Sequence, residues 1–153
     1  MALMTAAEIS PILWTTGYKY RLARDFQAML PIKGIFARSK SGLITLHESG
    51  LLVIKRGWAW DGASGLTIDT KSSMRGALIH DALYQLIREG LLPLEYREIA
   101  DRILKAVCQI DGMWKWRARL WLRAVRNFGL YAAVKARKIY VFPKKRGEKM
   151  WQT

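Results

Sequence analysis

Residues 57–101 read GWAWDGASGLTIDTKSSMRGALIHDALYQLIREGLLPLEYREIAD, and the change of period inside this stretch sets the fold. Its first part, Trp60-Asp61-Gly62-Ala63-Ser64-Gly65, is a run of small and turn-forming residues whose backbone can bend tightly and aim carbonyls inward. From Met74 the period becomes helical. Met74, Leu78, Leu83, Leu86 and Ile87 can line one core face, which predicts a helix over 74–88 that stops at Gly90. Leu91-Leu92-Pro93 then leads into a second predicted helix over 94–110, where Pro93 and Glu95 suit a helix start. Ile99, Ile103, Leu104 and Val107 form its apolar stripe, and Asp111-Gly112 ends it.

Two such helices, run antiparallel, gather chemistry. His80 and Tyr84 are four residues apart and share a helix face, whereas Asp81 points about 100° away. Asp101, in the first half of the second helix, falls against His80. A histidine paired with a buried aspartate is held in one tautomer, and its free nitrogen can take a proton from water. Tyr84 can satisfy a second lone pair of Asp101. Asp81, facing elsewhere, is free to bind a metal together with the 57–65 loop. Calcium suits carboxylate and backbone oxygens in flexible geometry and would polarise a carbonyl or phosphoryl oxygen.

Upstream the pattern is strand-like. Tyr18, Tyr20 and Leu22 alternate with Lys19, Arg21 and Ala23; Arg24 to Met29 is ambiguous; Pro31 to Phe36 reads as a short edge strand. Leu43 to His47 and Leu51 to Lys55, separated by Glu48-Ser49-Gly50, form a natural hairpin. Downstream, a third helix is expected from 114 to 138 with a break at Gly129. On it Trp114, Ala118, Trp121, Leu122 and Val125 make an apolar stripe beside the basic Arg119, Arg123 and Arg126. The whole reads as an α+β fold in one domain over 1–138: a small antiparallel strand region over 17–57, then a three-helix C-terminal half. A basic tail follows over 139–153.

Composition narrows the class. With 153 residues, 51% hydrophobic and 25% charged, the chain is long enough to bury a core without staples. Cys108 is its single cysteine and is expected to be a buried inert thiol; one cysteine and two separated histidines argue against a structural zinc site. No run approaches the length of a membrane span. The N-terminus lacks the pattern of a secretory signal and is not read as one. The net charge is +14, and residues 113–153 hold twelve of the 26 Lys and Arg against Glu148 alone. That field suits nucleic acid, anionic phospholipid or an acidic protein neighbour, with Lys144, Lys145 and Arg146 as tail anchors.

Asp61-Gly62-Ala63-Ser64, His80-Asp81 with Tyr84, and Asp101 twenty-one residues after His80 resemble the core of compact bacterial and fungal secreted phospholipases A2. The resemblance implies a phospholipase A2-like helix pair: His80 as general base, Asp101 as its partner, Tyr84 as a brace, and Asp81 with Asp61 and the Gly62 carbonyl as the calcium site. Those enzymes brace this core with disulfides, so here any kinship rests on helix packing. Over residues 17–128 the chain is more closely similar to a family of small proteins of tailed phages and prophages. They share the Asp-Gly-x-Ser loop, the His-Asp-x-Leu-Tyr helix and an Ala-Asp helix, here Ala100-Asp101.

The expectation is therefore a phage protein with a calcium-dependent, phospholipase A2-like ester hydrolase site. The alternative is a non-enzymatic phage structural or accessory protein, in which His80, Tyr84 and Asp101 lock two helices and the basic face binds virion proteins, anionic lipid or nucleic acid. Asp61-Gly62 is equally at home in a plain turn, and His47 reads as an exposed strand residue. Of the seven tryptophans, Trp114 and Trp121 fit the core, whereas Trp58, Trp60, Trp116 and Trp151 are candidates for an exposed rim.

Overall fold

The structure is a computed structural model that describes residues 14–15, 20–60, 71–134, 139–140 and 151–152. Strands come first: β1 (Trp14–Thr15), β2 (Tyr20–Leu22), β3 (Phe26–Met29), β4 (Ala37–Arg38), β5 (Ile44–Leu46), β6 (Leu51–Ile54) and β7 (Ala59–Trp60). A 3-10 turn, Lys71–Ser73, leads into α1 (Met74–Arg88), α2 (Tyr96–Ile110) and α3 (Lys115–Val134). Two further strands, β8 (Ile139–Tyr140) and β9 (Trp151–Gln152), pair with each other inside the stretch read as a tail. The fold is α+β: small antiparallel sheets followed by three helices.

The larger sheet has the order β3-β6-β5-β4, all antiparallel. Phe26 and Ile44 both face Ile54 across the ladder, and Ala28 and Leu46 both face Leu52. The two-residue alternation thus puts Phe26, Ala28, Ile44, Leu46, Leu52 and Ile54 on one buried face. The β5–β6 hairpin forms as its sequence predicts. Its turn needs Gly50, where φ is +95° and a Cβ would lie 2.4 Å from the Leu30 carbonyl oxygen.

Four expectations are corrected here. The ambiguous 24–29 segment contains β3, whereas Pro31–Phe36 is not a strand. Gly34, at φ +75°, breaks the extended run, and the segment lies along the hairpin turn through Leu30 N–H to Gly50 O and Gly34 N–H to Glu48 O. Gly129 does not break α3, since one glycine costs a helix about 1 kcal/mol and removes no hydrogen bond. Trp58 and Trp60 are buried, not rim residues: their rings stack with centroids 6.0 Å apart, and Tyr20 packs on Trp60. Trp114, expected in the core, is 72% exposed, because α3 begins after it and turns Ala118 and Trp121 inward instead.

α1 is buried around most of its circumference, with Leu78, Ile79, Leu83 and Leu86 in one cluster with the sheet residues and with Ala100, Ile103 and Val107 of α2. Leu104, Cys108, Met113, Ala118 and Trp121 form a second cluster under α3. Gly76 lets α1 and α2 approach closely: a Cβ there would sit 2.7 Å from Cys108 Sγ. An ion pair of Arg75 with Asp111 ties the start of α1 to the end of α2, with Arg75 Nε 3.0 Å from Asp111 Oδ1. At the other end of α1, Trp58 Nε1 donates to Gln85 Oε1 at 3.0 Å and the Lys40 amide donates to Glu89 at 2.7 Å, which fastens the sheets to the helix. No helix among the described residues is long and apolar enough to cross a membrane.

Candidate functional site

The antiparallel pairing of α1 and α2 brings His80, Tyr84 and Asp101 together, as their spacing predicts. The turn between the helices closes at Gly90, φ +72°, where Gly90 N–H reaches Ile87 O and Leu91 N–H reaches Leu86 O. That short return sets the register. His80 Nε2 lies 2.9 Å from Asp101 Oδ1, and Tyr84 OH donates to the same oxygen at 2.7 Å. The His80 and Tyr84 rings lie 4.0 Å apart, one helical turn along a single face.

Asp101 is fully buried, Tyr84 is 2% exposed and His80 is 7% exposed. A carboxylate accepts and does not donate, so His80 Nε2 carries the hydrogen and the neutral ring keeps its lone pair on Nδ1. Burial opposes a charge on His80, but the Asp101 bond, with Asp81 beside the other nitrogen, outweighs it and holds the pKa above the ordinary histidine value. Burial, and then Asp101, push the Tyr84 hydroxyl far above its usual range, so it remains a donor.

Asp81 departs from the helical-wheel expectation. It does not face away: Asp81 Oδ1 lies 3.7 Å from His80 Nδ1, too long for a hydrogen bond and close enough to act on its charge. Consecutive side chains on a helix diverge at Cα, and rotation about the side-chain bonds allows the tips to approach again. Asp81 Oδ2 and Asp101 Oδ2 are both buried without a hydrogen-bond partner among the described residues. The Asp81 oxygen is the feature that fits a hard cation, since an unpartnered buried carboxylate oxygen calls for a positive neighbour. Asp61 and Gly62, its expected companions, lie outside the described residues, as do Lys144, Lys145 and Arg146. Among the described residues no three His, Cys, Asp or Glu side chains are grouped to hold a metal ion.

Arg97 is the neighbour that sequence reasoning missed. Its guanidinium works against the rise of the Tyr84 pKa, and its Nη1 donates to the Arg126 carbonyl at 3.2 Å. The signal was there, because Arg97 stands four residues before Asp101 on the same helix. Away from this cluster, Arg119, Arg123 and Arg126 are exposed as expected, and with Trp116, Leu120 and Leu122 they line an open groove of about 500 Å³. His47 is exposed, its ring edge-on to Phe36.

Compared with protein-family models, curated proteins and solved structures, the chain finds no match.

Proposed function

We propose that the protein is a phage or prophage ester hydrolase of phospholipase A2-like chemistry, acting on a phospholipid ester with calcium as electrophile. The observation that carries this reading is the orientation of His80. Asp101, braced by Tyr84, holds His80 Nε2 at 2.9 Å, which leaves the Nδ1 lone pair as the proton acceptor beside Asp81, whose Oδ2 has no hydrogen-bond partner among the described residues.

In this mechanism Nδ1 of His80 takes a proton from water, and the water oxygen bonds to the ester carbonyl carbon. The tetrahedral intermediate then breaks its bond to the alkoxide, which receives the proton from Nδ1, giving an alcohol and a carboxylic acid that loses its proton to solvent. Asp101 stabilises the transient imidazolium and fixes the ring; Tyr84 positions Asp101. Calcium, held by Asp81 with Asp61 and the Gly62 carbonyl, would supply positive charge against the oxygen that becomes negative.

A second reading is favoured by the burial of the cluster. With Asp101 at 0% and Tyr84 at 2% exposure, the three side chains also make a strut that locks α1 to α2 in a non-enzymatic phage structural or accessory protein. Calcium titration by calorimetry separates the two. The hydrolase reading predicts saturable binding that Asp81→Asn removes while the fold is kept. Absence of binding at millimolar calcium contradicts it and leaves the strut.

A further inference from the structure

Among the described residues six large apolar side chains are exposed, and three of them, Trp114, Trp116 and Leu120, fall within seven residues at the start of α3. They stand 72%, 58% and 56% exposed. The opposite face of this helix is fully occupied, since Ala118 and Trp121 are buried against Leu104, Cys108 and Met113. Nothing in the packing of the described residues accounts for the outer face.

Its charge is equally uncompensated. Lys115, Arg119, Arg123 and Arg126 are exposed, and no ion pair among the described residues involves them. No acidic residue occurs anywhere from 113 to 147, and Asp111, just before, is engaged by Arg75. Trp116, Leu120 and Leu122 share one groove with Arg119, Arg123 and Arg126, which mixes apolar and cationic groups on one surface.

We propose that this outer face of α3, with Trp116 and Leu120 set among Arg119, Arg123 and Arg126 and with Trp114 just before the helix, is a docking surface for an anionic phospholipid bilayer. Indole rings are favoured at the boundary between acyl chains and headgroups, where one end is apolar and the other wet. Guanidiniums beside them meet lipid phosphates, and a helix lying in that boundary wants this mixture of sides. Leu120 distinguishes the occupant. A nucleic-acid strand would use the arginines and the tryptophans, but it offers nothing to an exposed aliphatic side chain lining the groove. The surface stands on α3 alone and does not depend on catalysis at His80.

The test is co-sedimentation of the full chain with phosphatidylcholine vesicles, with and without phosphatidylglycerol, in a calcium chelator so that docking and hydrolysis are read separately. Binding to the anionic vesicles is expected, with a blue shift of tryptophan emission and loss at high salt. Combined Arg119→Gln, Arg123→Gln and Arg126→Gln should weaken it about a hundredfold, roughly fivefold for each guanidinium removed. Combined Trp116→Ser and Leu120→Ser should weaken it by about tenfold or more at unchanged charge. All five positions are exposed, and unchanged melting temperatures verify the fold. Affinity retained in both variants overturns the proposal by moving the contact off α3. Binding to a single-stranded oligonucleotide with none to vesicles overturns it in favour of nucleic acid.

Discussion

Asp101 Oδ1 accepts two hydrogen bonds, while its equally buried Oδ2 accepts none among the described residues. The carboxylate is thus held from one side, and Tyr84 supplies half of that hold. Tyr84→Phe keeps the ring and removes the donor. It should cost about 1–2 kcal/mol of stability in chemical denaturation, and in the hydrolase reading it should slow turnover far less than His80→Asn. A full loss of activity in Tyr84→Phe would contradict its role as a positioning residue. On the surface, Asp25 accepts from Lys55 Nζ at 2.7 Å and from the Arg56 amide at 2.8 Å, and these bonds lower its pKa below the ordinary aspartate value. Its contribution to stability is therefore present above the unfolded pKa and is lost as pH falls through the folded one. Carboxyl NMR should place its midpoint below that of a free aspartate, and Lys55→Met should raise it. The His80–Tyr84–Asp101 cluster was legible in the sequence because helical spacing dictates it. The position of Asp81 was not, since a helical wheel places Cβ atoms and the rotamer places the carboxylate.

At the scale of elements, α1 and α2 were legible to within two residues, because apolar period, Gly90 and Pro93 agree. The strands were harder. β3 is four residues and β4 is two, too short for alternation to declare itself, and the turn geometry at Gly34 outweighed the apolar look of 31–36. The tryptophans misled for a related reason. An indole next to turn residues reads as a surface group, yet Trp58 and Trp60 pack inward once β7 pairs with β2. The α1–α2 contact, which no period reveals, depends on Gly76. Gly76→Ala would bring a Cβ to 2.7 Å from Cys108 Sγ and 3.1 Å from the Leu104 carbonyl oxygen. It should destabilise the protein by about 1–3 kcal/mol, and adding Cys108→Ala should recover part of that loss, because the thiol is the nearer obstacle. Strict additivity of the two losses in a denaturation cycle would contradict this packing.

Over the whole molecule, the strands and helices divide the labour. The sheets present an apolar face that buries α1, the Trp58–Gln85 and Lys40–Glu89 bonds fasten that contact, and α2 closes over the opposite side to seal Asp101. α3 packs Ala118 and Trp121 inward and exposes Trp116 and the arginines, where α1 and α2 carry the polar cluster. In the account proposed here, one surface meets an anionic bilayer and one buried histidine hydrolyses an ester drawn from it. Net charge in the sequence pointed to an anionic partner; which side chains face it depended on the rotation of α3, which the sequence left open at Trp114. Hydrolysis at His80 is measured most directly as fatty-acid release from mixed phosphatidylcholine and phosphatidylglycerol vesicles in calcium, with the wild-type protein beside His80→Asn. Release is expected from the wild type, and it stops in His80→Asn, which stays folded although it loses the buried bond to Asp101. No release by the wild type would contradict hydrolysis at His80 and leave the cluster as a strut that locks α1 to α2.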